Sequence, residues 1–419
     1  MREVIKRKSK HNIQRLTISL KWIAFSILSG ILIGMVSSTF FYCLKFVTDE
    51  RQKHPWIIFM LPLGGVMIVL LYRVLHNEND RGTNLIISAI HSNAEVPLRM
   101  APSIFISTII THFFGGSAGR EGAALQLGGS IGNSLGKAFK FNAKDKHIMI
   151  MCGMSASFSA LFGTPMAAAI FSMEVISVGI MHYSALLPCV ISSLVAHGVA
   201  TYFDISQELF FLSNIPSFNI SSAIKISILA VLCALISVVF CIMLHKSEYY
   251  YKKYFKNPYI RISVGGVFII ILTLIVGDQT YNGAGIGTIS QCINGSVNYE
   301  AFILKMLFTV LTLGAGYKGG EIVPSFFIGA SFGCLFGQLI GFNPSLCTAI
   351  GMTAVFCGVT NCPITSLLIS FELFGYEGMP YFLLAIAFSY VLSGYYGLYK
   401  SQKIMYSKYR TNYINKKTE

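Results

Sequence analysis

Two glutamates stand where a charge is costly. Glu121 follows Arg120 in "GGSAGREGAALQLGG" (115–129), and Glu321 sits in "GAGYKGGEIVPSFFIG" (314–329), each among glycines with apolar chain beyond. A charged side chain at bilayer depth costs roughly 2.5–3.5 kcal/mol on insertion scales, so it is rarely idle. Both glycine-rich stretches are too flexible to continue a helix, yet each opens onto an apolar helical run. A helix that starts inside the membrane presents free N–H groups and the positive end of its dipole, which together attract an anion. Irregular backbone at that depth is tolerated only inside protein or beside a water-filled cavity. The two helix starts are expected to converge on one anion.

The rest of the composition must supply such a membrane setting. Of 419 residues, 54% are hydrophobic and 12% charged, and the mean hydropathy is +0.62. Soluble domains carry about 25% charged residues. Apolar runs cover 17–47, 56–72, 100–114, 148–173, 183–203, 222–244, 262–277, 301–316 and 379–395. Each is near or above the ~17–25 residues that span a hydrocarbon core. The chain therefore reads as an all-α polytopic membrane protein embedded in a lipid bilayer. Three basic stretches, "MREVIKRKSKHNIQRL", "HKSEYYYKKYFKNPYIR" (245–261) and the C-terminal "YKSQKIMYSKYRTNYINKK", account for most of the net charge of +14. By the positive-inside rule they belong in the cytoplasm, with both termini, in a multi-pass protein of the cell membrane. Nucleic-acid binding is thereby disfavoured. The first apolar run is too long for a signal-peptide core of about 7–15 residues. Ten scattered cysteines without CxxC pairs indicate neither a disulfide framework nor a zinc site. No metal-ligand cluster, nucleotide loop or cofactor motif appears.

An internal repeat fixes the organisation. "GREGAALQLGG" (119–129) matches "GGEIVPSFFIG" (319–329) at a separation of 200, aligning Gly119, Glu121 and Gly129 with Gly319, Glu321 and Gly329. "GMSASFSALFGTPMAAAIFSME" (153–174) matches "GMTAVFCGVTNCPITSLLISFE" (351–372) at 198, aligning Pro165 with Pro363 and Glu174 with Glu372. Two matches in the same order define two homologous halves, 20–205 and 222–395. They are flanked by basic segments 1–19 and 396–419 and joined by 206–221. Secondary transporters combine such repeats in inverted orientation, with broken helices meeting at the midplane, and that arrangement is expected. Gly128, Gly132 and Gly136, and equally Gly329, Gly333 and Gly337, form small-residue ridges suited to close helix packing. The pseudo-symmetric Glu174 and Glu372 favour a shared structural task, such as holding a helix end. His112, His182 and His197 read as hydrogen-bonded packing residues.

These residues resemble the CLC family of chloride channels and chloride/proton antiporters. "GREGA" (119–123) is similar to the family's "GREGP", and the resemblance covers roughly 20–405. "GTNLI" (82–86) stands where typical members have "GSGIP", and "GGEIVP" (319–324) where they have "GxFxP". "GLYKS" (397–401) is similar to the segment carrying the family's central tyrosine, which places Tyr399 near the anion path. "GTNLI" together with "GGEIVP" resembles the bacterial branch that exchanges fluoride for protons. Chloride/proton antiporters have a second proton glutamate just after the position of Glu174, and this chain has Val175 there.

The resemblance implies an anion site built from Thr83, Asn84, Gly122, Glu321, Ile322, Val323 and Tyr399. Gly82, Gly119 and Gly320 are its motif glycines, and the assembly is a homodimer with one path per subunit. Glu121 can mimic and compete with the anion when ionised and swing away when protonated, so one carboxyl couples anion to proton. The bland alternative is a buried Arg120–Glu121 ion pair. Fluoride, and with it the less favoured chloride, and protons are the expected partners. The competing reading is a passive chloride channel on the same fold. An intramembrane enzyme is disfavoured, because neither a nucleophile–base pair nor paired aspartates stand in the membrane segments.

Overall fold

The computed structural model describes residues 2–92, 94–205, 209–212 and 214–419, with side chains from residue 15 onward. The expected connection 206–221 includes 206–208 and 213, which lie outside the described residues. Wherever apolar runs are bounded by glycine, proline or asparagine, helices form. The first eight are α1 (Arg2–Lys53), α2 (Leu61–Val74), α3 (Thr83–Ser92), α4 (Met100–Phe113), α5 (Glu121–Ala138), α6 (Ala143–Phe162), α7 (Pro165–Glu174) and α8 (Leu186–Tyr202). Eight more follow: α9 (Ile220–Tyr254), α10 (Pro258–Val276), α11 (Ile286–Ile293), α12 (Ala301–Ala315), α13 (Ile322–Leu339), α14 (Pro344–Thr360), α15 (Pro363–Phe374) and α16 (Met379–Leu392). Helix α5 packs on α6 as α13 packs on α14, α1 lies on α8 as α9 lies on α16, and α7 meets α15.

One expectation needs correction. The run 148–173 is not one span but two helices, α6 and α7. Gly163 ends α6 with a positive φ of 73°, and Pro165 opens α7 with a φ its ring already fixes. The second half breaks the same way, at Asn361 (φ 59°) and Pro363. The all-α membrane fold carries one small sheet at its C-terminal end. Strand β1 (Ser177–Val178) pairs in parallel with β2 (Lys403–Tyr406), which pairs antiparallel with β3 (Tyr413–Lys417). This sheet pins the C-terminal segment against the end of α7. At the other terminus, the basic residues up to 19 continue without a break into α1.

Burial separates lipid-facing helices from the centre. The apolar window of α10 is 28% buried and that of α13 is 83% buried. The inner helices approach closely because glycine lets them. A Cβ on Gly128 would lie 2.0 Å from the Gly153 carbonyl oxygen, and one on Gly132 2.2 Å from that of Met149. In the other half, Gly329 and Gly333 press on Gly351 and Cys347 at 2.2 and 2.1 Å. Glu174 and Glu372 do hold helix ends, each in the opposite half. The N–H groups of Met166 and Ala167 donate to Glu372 at 2.8 and 2.9 Å, capping α7. Those of Ile364 and Thr365 donate to Glu174 at 3.1 and 2.8 Å, capping α15. All ten cysteines are free.

A methyl at Gly128 must push α5 from α6, whereas one at Gly198 meets nothing within 4 Å. Gly128→Ala is expected to cost about 1–3 kcal/mol, the usual range for overpacking. Gly198→Ala is expected to leave the melting temperature of detergent-solubilised protein unchanged or raised.

Candidate functional site

Helix α4 gives way to a loop at Gly115 (φ 88°) and α12 at Gly316 (φ 113°), conformations in which glycine is at no disadvantage. The two loops then join each other. Gly119 N–H donates to the Gly320 carbonyl at 2.7 Å, and Gly320 N–H returns a bond of 2.7 Å to Gly119. This isolated antiparallel bridge carries the starts of α5 and α13 together. A Cβ on Gly320 would stand 2.5 Å from the Gly122 nitrogen and 3.2 Å from that of Glu121. One on Gly122 would stand 3.1 Å from Oε2 of Glu321. The convergence of helix starts expected from the repeat is present, and Gly122 and Gly320 are required for it. Neither helix start has a side-chain cap from its own N-cap residue. Ile322 and Val323 thus bring first-turn N–H groups to this point, where no preceding turn supplies carbonyl partners.

Glu121 is fully buried. Its Oε2 accepts from the Arg120 backbone N–H at 3.1 Å, and Oε1 lies 3.4 Å from Arg120 Nε. The Arg120 guanidinium in turn lies over Phe41, 4.9 Å from the ring centroid. The ion pair of the bland reading is therefore formed. Both residues also line a narrow cleft with Phe162, Phe210, Val323 and Phe326. A titratable carboxyl thus stands between this cleft and the joined helix starts.

Thr83, Asn84 and Tyr399 form a second group of the predicted residues, linked to α5 through Gly122. Thr83 donates its hydroxyl to the Gly122 carbonyl at 3.4 Å and accepts from Gln126 Nε2 at 3.2 Å. That hydroxyl therefore lies beside the start of α5. Asn84 does not cap α3. Its Oδ1 accepts the Ser401 N–H at 2.9 Å, which leaves the amide NH₂ as its donor. Asn84 therefore fixes the segment that carries Tyr399. Tyr399 is buried, its Oη has no hydrogen-bond partner among the described residues, and Glu321 and Glu121 lie within its electrostatic reach. Glu321 is partly buried, with Oε2 enclosed and without a hydrogen-bond partner among the described residues. Gly82 adopts φ 58° and donates to Asp80 Oδ1 at 3.0 Å.

Several residues here were not singled out from sequence. Gln126 holds Thr83, His245 meets the Leu398 carbonyl at 3.3 Å, and Glu248 pairs with Lys400 at 3.2 Å. Asp80 and Lys318 flank the glycine motifs, and their charge beside those motifs was the available signal. His112 does behave as a packing residue, with its ring 3.4 Å from the Gly119 carbonyl.

Residues 63–394 match the family model for voltage gated chloride channels. A chloride/fluoride channel protein of Pseudomonas syringae pv. tomato is 34% identical over 396 residues, 93% of this chain and 88% of that one. The H(+)/Cl(-) exchange transporter ClcA of Vibrio campbellii is 26% identical, over 82% of this chain and 80% of its own. Among solved structures, that of a CLC-type fluoride/proton antiporter superposes with a TM-score of 0.88 at 31% identity, covering 91% of this chain and 98% of the other.

The Asn84–Ser401 bond separates two tasks of one side chain. Asn84→Ala removes the acceptor and is expected to lower stability by about 1 kcal/mol, the net worth of a typical hydrogen bond. Asn84→Asp keeps an acceptor for Ser401 but discards the NH₂ donors. Thermal unfolding should therefore register the alanine variant more strongly than the aspartate one.

Proposed function

Because this chain belongs to the voltage-gated chloride channel family, whose all-helical membrane fold it has, we propose that it is an antiporter that expels fluoride from the cytoplasm in exchange for protons. The observation that carries this reading is the Glu321 carboxyl at the meeting point of α5 and α13, 3.1 Å from where a Cβ on Gly122 would lie. An ionised carboxylate there repels every halide, so its use must lie in the protonated form. A protonated carboxyl donates a hydrogen bond, and fluoride, small and basic for a halide, accepts very short ones. A bare anion must recover its lost hydration from such close donors. Chloride gains less from the same contact. The relatives named as a chloride/fluoride channel protein and a fluoride/proton antiporter support this choice.

In the proposed cycle the anion is held by the first-turn N–H groups of Gly122, Ile322 and Val323, the Thr83 hydroxyl, the Asn84 amide, Tyr399 Oη and protonated Glu321. Glu121 couples the two fluxes. Ionised, it pairs with Arg120 and occupies the anion's place; protonated, it loses that pairing and turns toward the cleft. Its two protonation states thus correspond to two occupancies of the path. We place the halves at 20–205 and 222–395, the basic termini in the cytoplasm, and one complete path in each subunit of a homodimer. A passive chloride channel is the second reading, favoured by the word channel in the name of the Pseudomonas relative. A channel cannot drive protons uphill on an anion gradient, so proton flux decides between the two.

Fluoride efflux from proteoliposomes should be accompanied by proton uptake in fixed proportion. Glu121→Gln, which keeps size and hydrogen bonding but cannot titrate, is expected to abolish the proton movement while the protein remains folded. Proton pumping by that variant on an anion gradient would remove Glu121 from the coupling role. Glu321→Ala should stop fluoride turnover; normal exchange in it, or chloride moving as fast as fluoride in the wild type, returns the chloride channel to first place. Cells lacking the protein should be fluoride-sensitive, most severely in acidic medium, where neutral hydrogen fluoride enters and dissociates inside.

A further inference from the structure

Asp80 and Lys318 are two charges beside the anion-path loops that the motifs do not account for. Asp80 precedes Gly82 by two residues, and its Oδ1 accepts the Gly82 N–H at 3.0 Å, which ties it to the loop that opens α3. Lys318 precedes Gly320 by two residues in the loop that opens α13, and its own N–H donates to Thr111 Oγ1 at 3.2 Å. The charged ends meet loosely. Asp80 Oδ2 lies 3.6 Å from Lys318 Nζ, beyond the roughly 2.7–2.9 Å of a charge-assisted hydrogen bond. That oxygen is buried and has no hydrogen-bond partner among the described residues; the same holds for Tyr72 Oη, and the Lys318 ammonium lies 4.4 Å from the Tyr72 ring centroid.

Exposure is unequal across the pair. The Asp80 side chain is 1% exposed and that of Lys318 25%. Part of the Lys318 side chain is therefore accessible where that of Asp80 is not, and Glu321 lies within electrostatic reach of its ammonium. A buried ion pair made for stability closes to full contact and satisfies its remaining lone pairs. This one leaves a carboxylate oxygen without a close partner and a cation held at 3.6 Å rather than in full contact, three residues from the glutamate at the proposed anion site.

We propose that Lys318 draws the transported anion into the path and that Asp80 limits its grip by competing for the same ammonium. The proposal rests on the reading of the chain as an anion transporter but not on which halide it moves. A transported ion must bind well enough to enter and weakly enough to leave. Lys318 serves the first requirement. Asp80, fixed to Gly82 beside Thr83 and Asn84, serves the second by taking back the cation as the anion departs.

The two substitutions should therefore act in opposite directions on affinity, which a structural ion pair would not produce. The test uses the full chain in proteoliposomes, with initial rates of fluoride or chloride efflux against concentration, and halide binding to the detergent-solubilised protein by calorimetry. Lys318→Met is expected to raise KM and Kd about tenfold, the scale on which one partly screened charge acts, with kcat changed far less. Lys318→Arg keeps the charge and should retain near-normal KM. Asp80→Asn, of the same shape, is expected to lower KM and Kd several-fold while kcat falls, because release slows. Shifts of KM in the same direction for Asp80→Asn and Lys318→Met, or values indistinguishable from wild type, would overturn the proposal. If Lys318→Met does not purify as a folded protein, the sign of the Asp80→Asn shift alone decides. Proton flux in the wild type is recorded separately, so failure of the exchanger reading is distinguishable from failure of this one.

Discussion

Gly119 and Gly320 exchange backbone hydrogen bonds in the interior of the protein, and the site depends on that exchange being possible. Backbone that leaves a helix at membrane depth must find partners within the protein. Here each broken loop finds them in the other. A side chain at Gly320 would collide with the Gly122 nitrogen at 2.5 Å, and one at Gly119 with Glu121 Oε2 at 2.9 Å. The same two bonds that satisfy the loops thus hold two helix starts and two glutamates within one small volume. Thr83 then ties α3 to Gly122, and Asn84 ties it to Ser401. Four segments distant in sequence are fixed around one point by hydrogen bonds, with the charges of Asp80, Lys318, Glu248 and Lys400 at the edges.

Around that point the helices are short because they are interrupted rather than because the sequence lacks apolar residues. Gly163 with Pro165, and Asn361 with Pro363, stop one helix and start the next within two residues. Each new start leaves N–H groups without carbonyl partners in a preceding turn. Glu372 and Glu174 take them, which makes the buried Glu174 and the half-buried Glu372 stabilising rather than costly. The long outer helices α1, α9 and α10 carry the lipid-facing surface and leave the interior to glycine-faced helices.

Much of this was legible because it is periodic or repeated. The glycine ridges, the two helix starts with their glutamates, and the pairing of Glu174 with Glu372 all appear as matched spacings. The break in 148–173 was locally marked by "GTP" (163–165) but hidden by continuous apolar composition. Other features had no local mark at all. The bond from Ser401 to Asn84 joins residues 317 positions apart, and the strands 403–406 and 413–417 form against a two-residue strand at 177–178. Thr83 was marked by its residue type alone, and only the folded chain brings its hydroxyl near the carbonyl of Gly122.

The exchanged glutamate caps bear on how such a chain could arise. Glu174 serves the helix that Pro363 opens, and Glu372 serves the helix that Pro165 opens. The two bonds are copies of one relationship between a half and its counterpart. A half-length chain that paired with an identical copy would already have made both, from a single glutamate and a single proline. Fusion of two such genes would then have changed nothing at these ends, while freeing each half to diverge. Glu121 beside an arginine and Glu321 beside a glycine are what that freedom would produce at equivalent positions of a once symmetric pair.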